Sequence, residues 1–585
     1  MNFVKNWEIK KKLPKKEKDR YPELNPVALQ LLYDRGLKEP KQIEAFLNPD
    51  YFSDVHDPYL LKNMPAVVDR IFKAIENKEK ITVYGDYDAD GVCSSVITVK
   101  TLEFLGADVD VYIPHREKEG YGLLKKSVDY IARRKTKLMI TVDCGVSNAE
   151  EVVYAKEKGL DVIVTDHHEI PQNVPDCLLI HARNKGQDYP CPYLAGAGIA
   201  FKVCQALLLK KKGGAFKTRD KKRSKWVTFE KWLLDLVGIA TVADMMPLLG
   251  ENRVLVRYGL MVLNKARRPG MKYLLQEAGL WEPGCKDPRL SSEHIAFQIG
   301  PRINAAGRMD HANTAYKLLM SEDEEQARNM AAILNKNNIK RQKLVDRIYK
   351  EALNQIGSVK QGEIKILFAY DPSWSLGVAG LVANRILADY HLPVVIGALL
   401  EGRISASVRS IPAFDFVEAL ADIQRYFYKY GGHAMACGFT LKNNRDWLTV
   451  REKLNLAIKN QVKPEDIVPT ISVDMEIALK EVNWELIRVL NNFEPFGKAN
   501  PKPVFLTSRL LVQALEAVGS DNRHLRLILN DQNGTVRKGI GFCLGNWCRE
   551  VSVGQYVDVV YEVGVNRWNG RQELQLGVLD LRLSQ

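Results

Sequence analysis

Three short β-branched runs, each ending in a carboxylate or an imidazole, constrain this chain more than any other feature. Ile81-Thr82-Val83 leads into Tyr84-Gly85-Asp86-Tyr87-Asp88-Ala89-Asp90-Gly91, and Met139-Ile140-Thr141-Val142 leads into Asp143-Cys144-Gly145. The third, Val162-Ile163-Val164-Thr165, leads into Asp166-His167-His168. Apolar runs this short, bounded by Gly and Asp, read as strands buried on both faces. Open α/β sheets bind ligands outside the carboxyl ends of their strands, so three such ends bearing Asp or His predict a metal site.

Strand-like segments at 81–84, 109–113, 138–142, 161–165 and 177–181 alternate with amphipathic segments. That rhythm predicts a doubly wound parallel sheet, although spacing does not set the strand order. A chain of 585 residues exceeds the size of one hydrophobic core, so several domains are expected. Residues 1–65 form an N-terminal segment, with a basic run over 10–20 and a helix opening at Asn25-Pro26. Residues 66–320 form the first α/β domain. Residues 321–357 form a connecting helix, opened by a capping box of Ser321 and Glu324 and long enough to join two lobes. A second α/β domain follows over 358–460, with a strand at 364–369, a helix at 376–390 and strands near 393–399 and 403–408. From 465 to 585 the pattern turns to β, with alternation at 525–529 and 573–576. Turn signals at Asp531-Gln532-Asn533-Gly534 and Asn569-Gly570 complete a small antiparallel barrel.

The composition, 46 % hydrophobic and 26 % charged, is that of a globular protein. Lys and Arg number 84 against 71 Asp and Glu, a net charge of +13 that suits a polyanionic partner. Much of the excess sits in a basic insertion at 210–225, read as a solvated loop or as a phosphate-backbone contact. The nine cysteines contain no CxxC pair and lie in apolar surroundings, which excludes a zinc framework and fits reduced thiols in the cytoplasm. No run of 18 apolar residues occurs and no signal peptide is legible, so no membrane partner is expected.

Asp88, Asp90, Asp143, His167 and Asp244 make a carboxylate-rich ligand set with an imidazole. Oxygen donors suit Mg²⁺ or Mn²⁺, and so many carboxylates share one buried place only when cations neutralise them. A calcium loop is disfavoured because its twelfth position, counted from Asp86, is Ile97. Asp86 either ligates or orients its neighbours, and His168 ligates, acts as an acid or hydrogen-bonds a phosphate, the last being preferred. Two metal ions would activate a water and stabilise the leaving oxygen of a phosphodiester. Arg302, Asn304 and Arg308 in Pro301-Arg302-Ile303-Asn304-Ala305-Ala306-Gly307-Arg308 offer donors to phosphate oxygens. Ser405, Ser407 and Arg409 alternate along one strand face, and Gly431-Gly432-His433 allows a backbone to approach a phosphate closely.

These motifs resemble the DHH phosphoesterase family, whose name is the triplet standing here as Asp166-His167-His168. The resemblance also covers the DxDxDG segment, VDCG, VADMMPL, QIGPRINAAGRM and the GGH at 431–433. The long helix, the SxRS pattern at 407–410, Phe496-Gly497 with Asn500-Pro501 and the terminal barrel are similar to the family's single-strand-specific DNA exonucleases. The resemblance implies a parallel-sheet DHH domain joined by a long helix to a second α/β (DHHA1) domain, followed by an OB-like barrel. It implies 5′ to 3′ hydrolysis of single-stranded DNA to mononucleotides with two Mn²⁺ or Mg²⁺ ions, in recombination and repair. In it Asp88, Asp90, Asp143, His167 and Asp244 would hold metal, while His168 and Arg302 lie near the scissile phosphate. Ser407 and Arg409, with Arg116, would hold the 5′ phosphate, and Tyr561, Arg567 and Trp568 are candidates to guide the strand. Single-strand-binding protein and a RecQ-type helicase are the protein partners it brings. Two other readings stand beside it: a phosphodiesterase for short oligonucleotides or cyclic dinucleotides, which needs no barrel, and a DNA-binding scaffold without catalysis.

Overall fold

The structure, a computed structural model, describes residues 5–213, 225–285, 288–360, 362–568 and 571–584. The chain divides into two compact units: Glu39–Arg341 with Phe493–Pro501, and Met1–Lys38 with Gln342–Asn492 and Lys502–Gln585.

In the first unit five parallel strands, β1 (Ile81–Gly85), β2 (Val109–Tyr112), β3 (Leu138–Val142), β4 (Asp161–Thr165) and β5 (Leu178–Ile180), lie in the order β2-β1-β3-β4-β5. Every residue of β1 and β3 is buried, which is why those strands read as unbroken apolar runs. The order reverses between β1 and β3, so the crevice outside their carboxyl ends is the topological switch point where such sheets bind ligands. Asp86 and Asp143 are the first residues beyond those two strands. Helices α1 (Ala89–Phe104), α2 (Gly196–Lys212) and α3 (Leu234–Ala243) are buried along most of their lengths in the core behind that crevice. A π-turn, Ile295–Ile299, runs into α4 (Gly300–Met309). Behind the site, Lys202 of α2 and Glu251 form an ion pair in which both side chains are wholly buried. Tyr189 donates to Glu251 at 2.7 Å, and Lys202 donates to the His56 carbonyl at 2.7 Å.

The short segment Phe493–Pro501 belongs to this unit although the chain on either side does not. The Leu248 amide donates to the Lys498 carbonyl at 2.8 Å, the Ser292 hydroxyl to Phe496 at 2.6 Å and Arg253 to Phe493 at 2.9 Å.

The connecting helix, α5 (Glu324–Ile356), opens differently from expectation. Asp323 accepts from the Gln326 amide at 2.7 Å, whereas Ser321 closes the preceding helix and turns its hydroxyl to the Asp323 carbonyl. The two units divide along α5 after Arg341.

In the second unit α6 (Leu376–Tyr390), β7 (Val394–Leu400) and β8 (Arg403–Arg409) match the expected elements closely, and β6 (Leu367–Tyr370) begins three residues later than expected. Two further strands, β9 (Phe427–His433) and β10 (Ala436–Leu441), complete a mixed sheet in the order β9-β10-β8-β7-β6. Gly431, Gly432 and His433 thus lie in a paired edge strand, Gly432 opposite Cys437.

The barrel comprises β11 (Val504–Val518), β12 (His524–Asn530), β13 (Val536–Gly541), β14 (Tyr556–Trp568) and β15 (Arg571–Leu583). It closes because β14 pairs back onto β11, but β13 and β15 run parallel, so it is not the all-antiparallel barrel expected. Tyr561 is fully buried and shares a hydrogen bond with Thr507, so it packs the barrel and does not stack on a strand. Arg567 is exposed. Residues 1–65, expected as one segment, divide after Lys38. The strand Asn6–Ile9 pairs with Thr470–Val473, and the Trp7 indole donates to Asp580 at 2.9 Å, which joins the first residues to the barrel unit. Most of the basic insertion, residues 214–224, lies outside the described residues, as do Asn569-Gly570 and the side chain of Trp568.

Candidate metal centre

Asp88 is the N-cap of α1: one carboxylate oxygen accepts from the Asp90 and Gly91 amides at 2.9 and 3.1 Å. Asp90, one residue into the helix, accepts from the Gly196 and Ala197 amides at 2.7 Å each, so α2 aims its N-terminus at this carboxylate. Gly196 is required there, because a Cβ would stand 2.5 Å from an Asp143 carboxylate oxygen. Asp143 itself holds a left-handed backbone, φ 61°, that turns its side chain back into the crevice.

Four of these groups leave atoms buried without a hydrogen-bond partner: Asp86 Oδ1, Asp143 Oδ1, His167 Nε2 and Asp244 Oδ2. His167 Nε2 lies 3.1 Å from Asp143 and 3.6 Å from both Asp90 and Asp244. Ligand atoms converge in three sets: Asp86, Asp88 and Asp143; Asp90, His167 and Asp244; Asp143, His167 and His168. Asp143 and His167 each belong to two of these sets, the pattern of two adjacent cation positions sharing ligands. Orphaned buried acceptors cost free energy unless something positive completes them, and an oxygen-rich set with one imidazole fits Mn²⁺ or Mg²⁺.

The electrostatics agree. Burial first, and then the neighbouring carboxylates, push Asp90 up to about 7 and Asp244 to about 8, and hold Asp86 and Asp143 well above the usual range. Burial and the charge on His168 drive His167 down to about 3, so it is a neutral donor. His168 is the opposite. Burial alone would lower it, yet its hydrogen bond to Asp166, 2.8 Å from Nδ1, and that carboxylate's charge raise it to about 9. Asp166 also accepts from the His167, His168 and Val146 amides, so it sets the turn without joining any ligand set. His181 and Arg183 donate to the His168 and His167 carbonyls at 2.8 Å each.

The candidate phosphate-binding residues separate into distinct positions. Asn304 accepts from the Ala89 amide at 2.7 Å and so anchors α4 to the aspartate loop. Arg308 is the guanidinium of α4 whose charge reaches Asp88; burial, Arg116 and Arg341 lower it to about 10. Arg116 stacks over the Tyr87 ring at 4.8 Å, and its charge reaches Asp86. Arg302 is held by Asn335 of α5 at 3.1 Å and by the Gln298 carbonyl at 2.8 Å. In the second unit Ser407 and Arg409 sit side by side over α6, where Gly380 makes room. A Cβ there would lie 2.8 Å from the guanidinium and 3.0 Å from the hydroxyl. Gly196, Gly380, Asn335 and Arg341 had no signal in the sequence beyond their residue types. Tyr121, whose hydroxyl lies 3.0 Å from His168 Nδ1, was also missed.

Comparison with known proteins agrees with this architecture. Residues 80–241 match the DHH family N-terminal domain, residues 363–462 the DHHA1 domain and residues 473–580 the RecJ OB domain. The single-stranded-DNA-specific exonuclease RecJ of Bacillus subtilis is 35 % identical over 584 residues, 99 % of this chain and 71 % of that protein. The crystal structure of Thermus thermophilus RecJ with Mn²⁺ superposes with a TM-score of 0.82 at 27 % identity, covering 99 % of this chain and 80 % of that one. Its Mg²⁺ complex gives 0.76 at 26 % identity, covering 99 % and 79 %. Three domain matches in the expected order, with similarity along almost the whole length, place this chain in the RecJ family of DHH proteins.

Proposed function

We propose that this chain is a metal-dependent exonuclease that degrades single-stranded DNA from its 5′ end to mononucleotides, in recombination and repair. The observation that carries the reading is the convergence of unpartnered Asp86, Asp143, His167 and Asp244 atoms at the sheet's switch point. One divalent cation would be held by Asp90, His167 and Asp244, the other by Asp86 and Asp88, with Asp143 shared. Bound there, Mn²⁺ or Mg²⁺ supplies Lewis-acid polarisation of the phosphoryl oxygen and a water acidic enough to attack at neutral pH.

The chain's own residues position and stabilise. His168, cationic at neutral pH and fixed through Nδ1 by Asp166, keeps its other ring nitrogen as a donor to a phosphate oxygen. Arg308 and Arg116 offset negative charge at the aspartate loop, while Arg302 is poised by Asn335 and Gln298 to meet a phosphate. Asn304 keeps the Asp88–Asp90 turn in place. Ser407 and Arg409 present a hydroxyl and a largely buried guanidinium to the terminal 5′ phosphate. Gly432 and His433 line the exposed edge of the same sheet and serve the strand there. Single-strand-binding protein and a RecQ-type helicase are the protein partners of this reading, and the cytoplasm its location. No helix among the described residues is long and apolar enough to cross a membrane.

The test is a single strand labelled at one end, with and without a 5′ phosphate, incubated with Mn²⁺ or with chelator. Mononucleotide released at once from a 5′ label, with 3′ label staying on shortening strands and no release in chelator, is the expected result. Survival of long strands while dinucleotides are cut would replace this reading with a short-oligonucleotide phosphodiesterase.

A further inference from the structure

Phe496-Gly497 and Asn500-Pro501 enclose a tight turn that the exonuclease reading leaves without a role. The Gly497 amide donates to the Asn500 carbonyl at 2.8 Å, and the Asn500 amide returns to the Gly497 carbonyl at 3.1 Å. Lys498 and Ala499 form the tip, where Ala499 takes a left-handed backbone, φ 62°. The Asn500 side chain is fully buried and donates to the Phe493 carbonyl at 2.8 Å and the Pro495 carbonyl at 2.9 Å, closing the loop from inside. Where the turn meets the core, a Cβ on Gly497 would stand 2.7 Å from the Leu248 side chain. A loop braced this way holds its tip in one place.

That place is beside the candidate metal centre. The Lys498 carbonyl accepts at 2.8 Å from the amide of Leu248, four residues after Asp244, and the Phe496 carbonyl accepts from Ser292 at 2.6 Å. Lys498 is exposed, and its ammonium makes no hydrogen bond or ion pair among the described residues. Exposed lysines are ordinary, and one alone assigns nothing. This one is distinguished by where its charge falls, because it reaches Asp244. Asp244 converges with Asp90 and His167, whereas Asp86 and Asp88 converge in another set, where the charge of Arg116 reaches Asp86 and that of Arg308 reaches Asp88. Cations therefore flank the ligands on both sides, two guanidiniums on one and a single ammonium on the other. Lys498 falls within residues 473–580, matched as the OB domain, yet it belongs with the first unit.

We propose that Lys498 binds the internucleotide phosphate that follows the scissile one, on the part of the strand that remains after cleavage, an inference that rests on the exonuclease reading above. A phosphodiester held between the two cation positions has one nucleotide on one side and the rest of the strand on the other. A terminal phosphate monoester carries close to two negative charges at neutral pH and suits the side with two guanidiniums. A diester carries one and suits the side with one ammonium, a compact charge on a flexible four-carbon stem that meets a phosphate arriving from solvent. Such a contact carries no sequence preference and releases one more counterion on binding.

The experiment follows release of the first, 5′-labelled nucleotide by wild type, Lys498→Ala and Lys498→Arg in saturating Mn²⁺. Two strands are compared, one normal and one whose second internucleotide linkage is an uncharged methylphosphonate. On the normal strand Lys498→Ala is expected to lose about three- to tenfold in kcat/KM, and Lys498→Arg to stay within about twofold of wild type. On the methylphosphonate strand wild type is expected to fall to the level of Lys498→Ala, and the two to be equal. The slope of log kcat/KM against log salt concentration is expected to be shallower by about 0.7 in Lys498→Ala, the share of one phosphate contact on a single strand. The proposal is overturned if Lys498→Ala matches wild type on the normal strand, if it lowers both strands by the same factor with the slope unchanged, or if it acts only by raising the Mn²⁺ concentration required. Thermal midpoints of all three proteins, expected to agree within a few degrees, show that a loss is not unfolding. A wild-type enzyme that releases no mononucleotide from the normal strand defeats the exonuclease reading itself, a different failure.

Discussion

The metal centre at the β1/β3 crevice and the Ser407–Arg409 pair on β8 are both read as phosphate sites, yet they are built from opposite materials. The first gathers buried carboxylates around a neutral histidine and leaves acceptors unpartnered. The second presents donors, a hydroxyl and a guanidinium fitted against a glycine of α6. A phosphate can approach the first only through cations and the second directly. The difference teaches what each can do on the proposed reading: the first would owe its chemistry to bound metal, and the second would recognise without reacting.

Removing a residue from each side tests that contrast. Asp143→Ala takes a candidate ligand from two of the three sets and is expected to lower kcat about a hundred- to a thousandfold at saturating Mn²⁺, the scale of a lost transition-state contact. Arg409→Ala is expected to raise KM about ten- to a hundredfold for 5′-phosphorylated strands, with kcat changed a few-fold at most, because a charged hydrogen bond is worth about 1.5–3 kcal/mol. A kcat effect of Arg409→Ala equal to that of Asp143→Ala would break the comparison. The two effects are to be measured in one steady-state series with and without the 5′ phosphate.

The buried ion pair of the first unit gives a test of stability. Lys202→Met leaves Glu251 buried without its cation and is expected to cost about 3–5 kcal/mol, read by denaturant unfolding. Lys202→Met with Glu251→Leu, which removes both charges, is expected to recover much of that loss.

The smallest effect is a pH dependence. In the metal-free protein Asp90 at about 7, Asp244 at about 8 and His168 at about 9 all lie above their unfolded values. The folded chain therefore binds more protons than the unfolded one as pH passes through these values, and stability falls as pH rises through that window. The thermal midpoint is expected to drop by several degrees in chelator and to hold steady in excess Mn²⁺, which takes the place of the protons. A midpoint that rises across the window in chelator would contradict the charge assignment.

Much of the candidate centre was legible because Asp86, Asp88, Asp90, Asp143 and His167 stand just beyond short β-branched strands, a local signal, whereas Asp244 closes a helix. Ligand atoms of Asp86, Asp88, Asp90, Asp143, His167 and Asp244 lie together in the structure in overlapping sets. What was not legible depends on contacts distant in sequence. The strand order arises from crossovers, the parallel β13–β15 pairing from barrel closure, and the division after Lys38 from a strand pairing between segments far apart in the chain. Gly196 reads as an ordinary small residue until α2 is seen to end against Asp143. Ser321 and Asp323 carry equally good capping side chains, and only the path of the preceding helix decides between them. Gly431-Gly432 signals a close backbone approach locally, but its pairing with β10 depends on a strand later in the chain.

The most direct test of the account is Mn²⁺ binding to the metal-free protein, followed by calorimetry and by the spectrum of the bound ion. Two ions per wild-type chain, two for Arg409→Ala and loss of at least one for Asp143→Ala are expected. Unchanged stoichiometry and affinity in Asp143→Ala would contradict it.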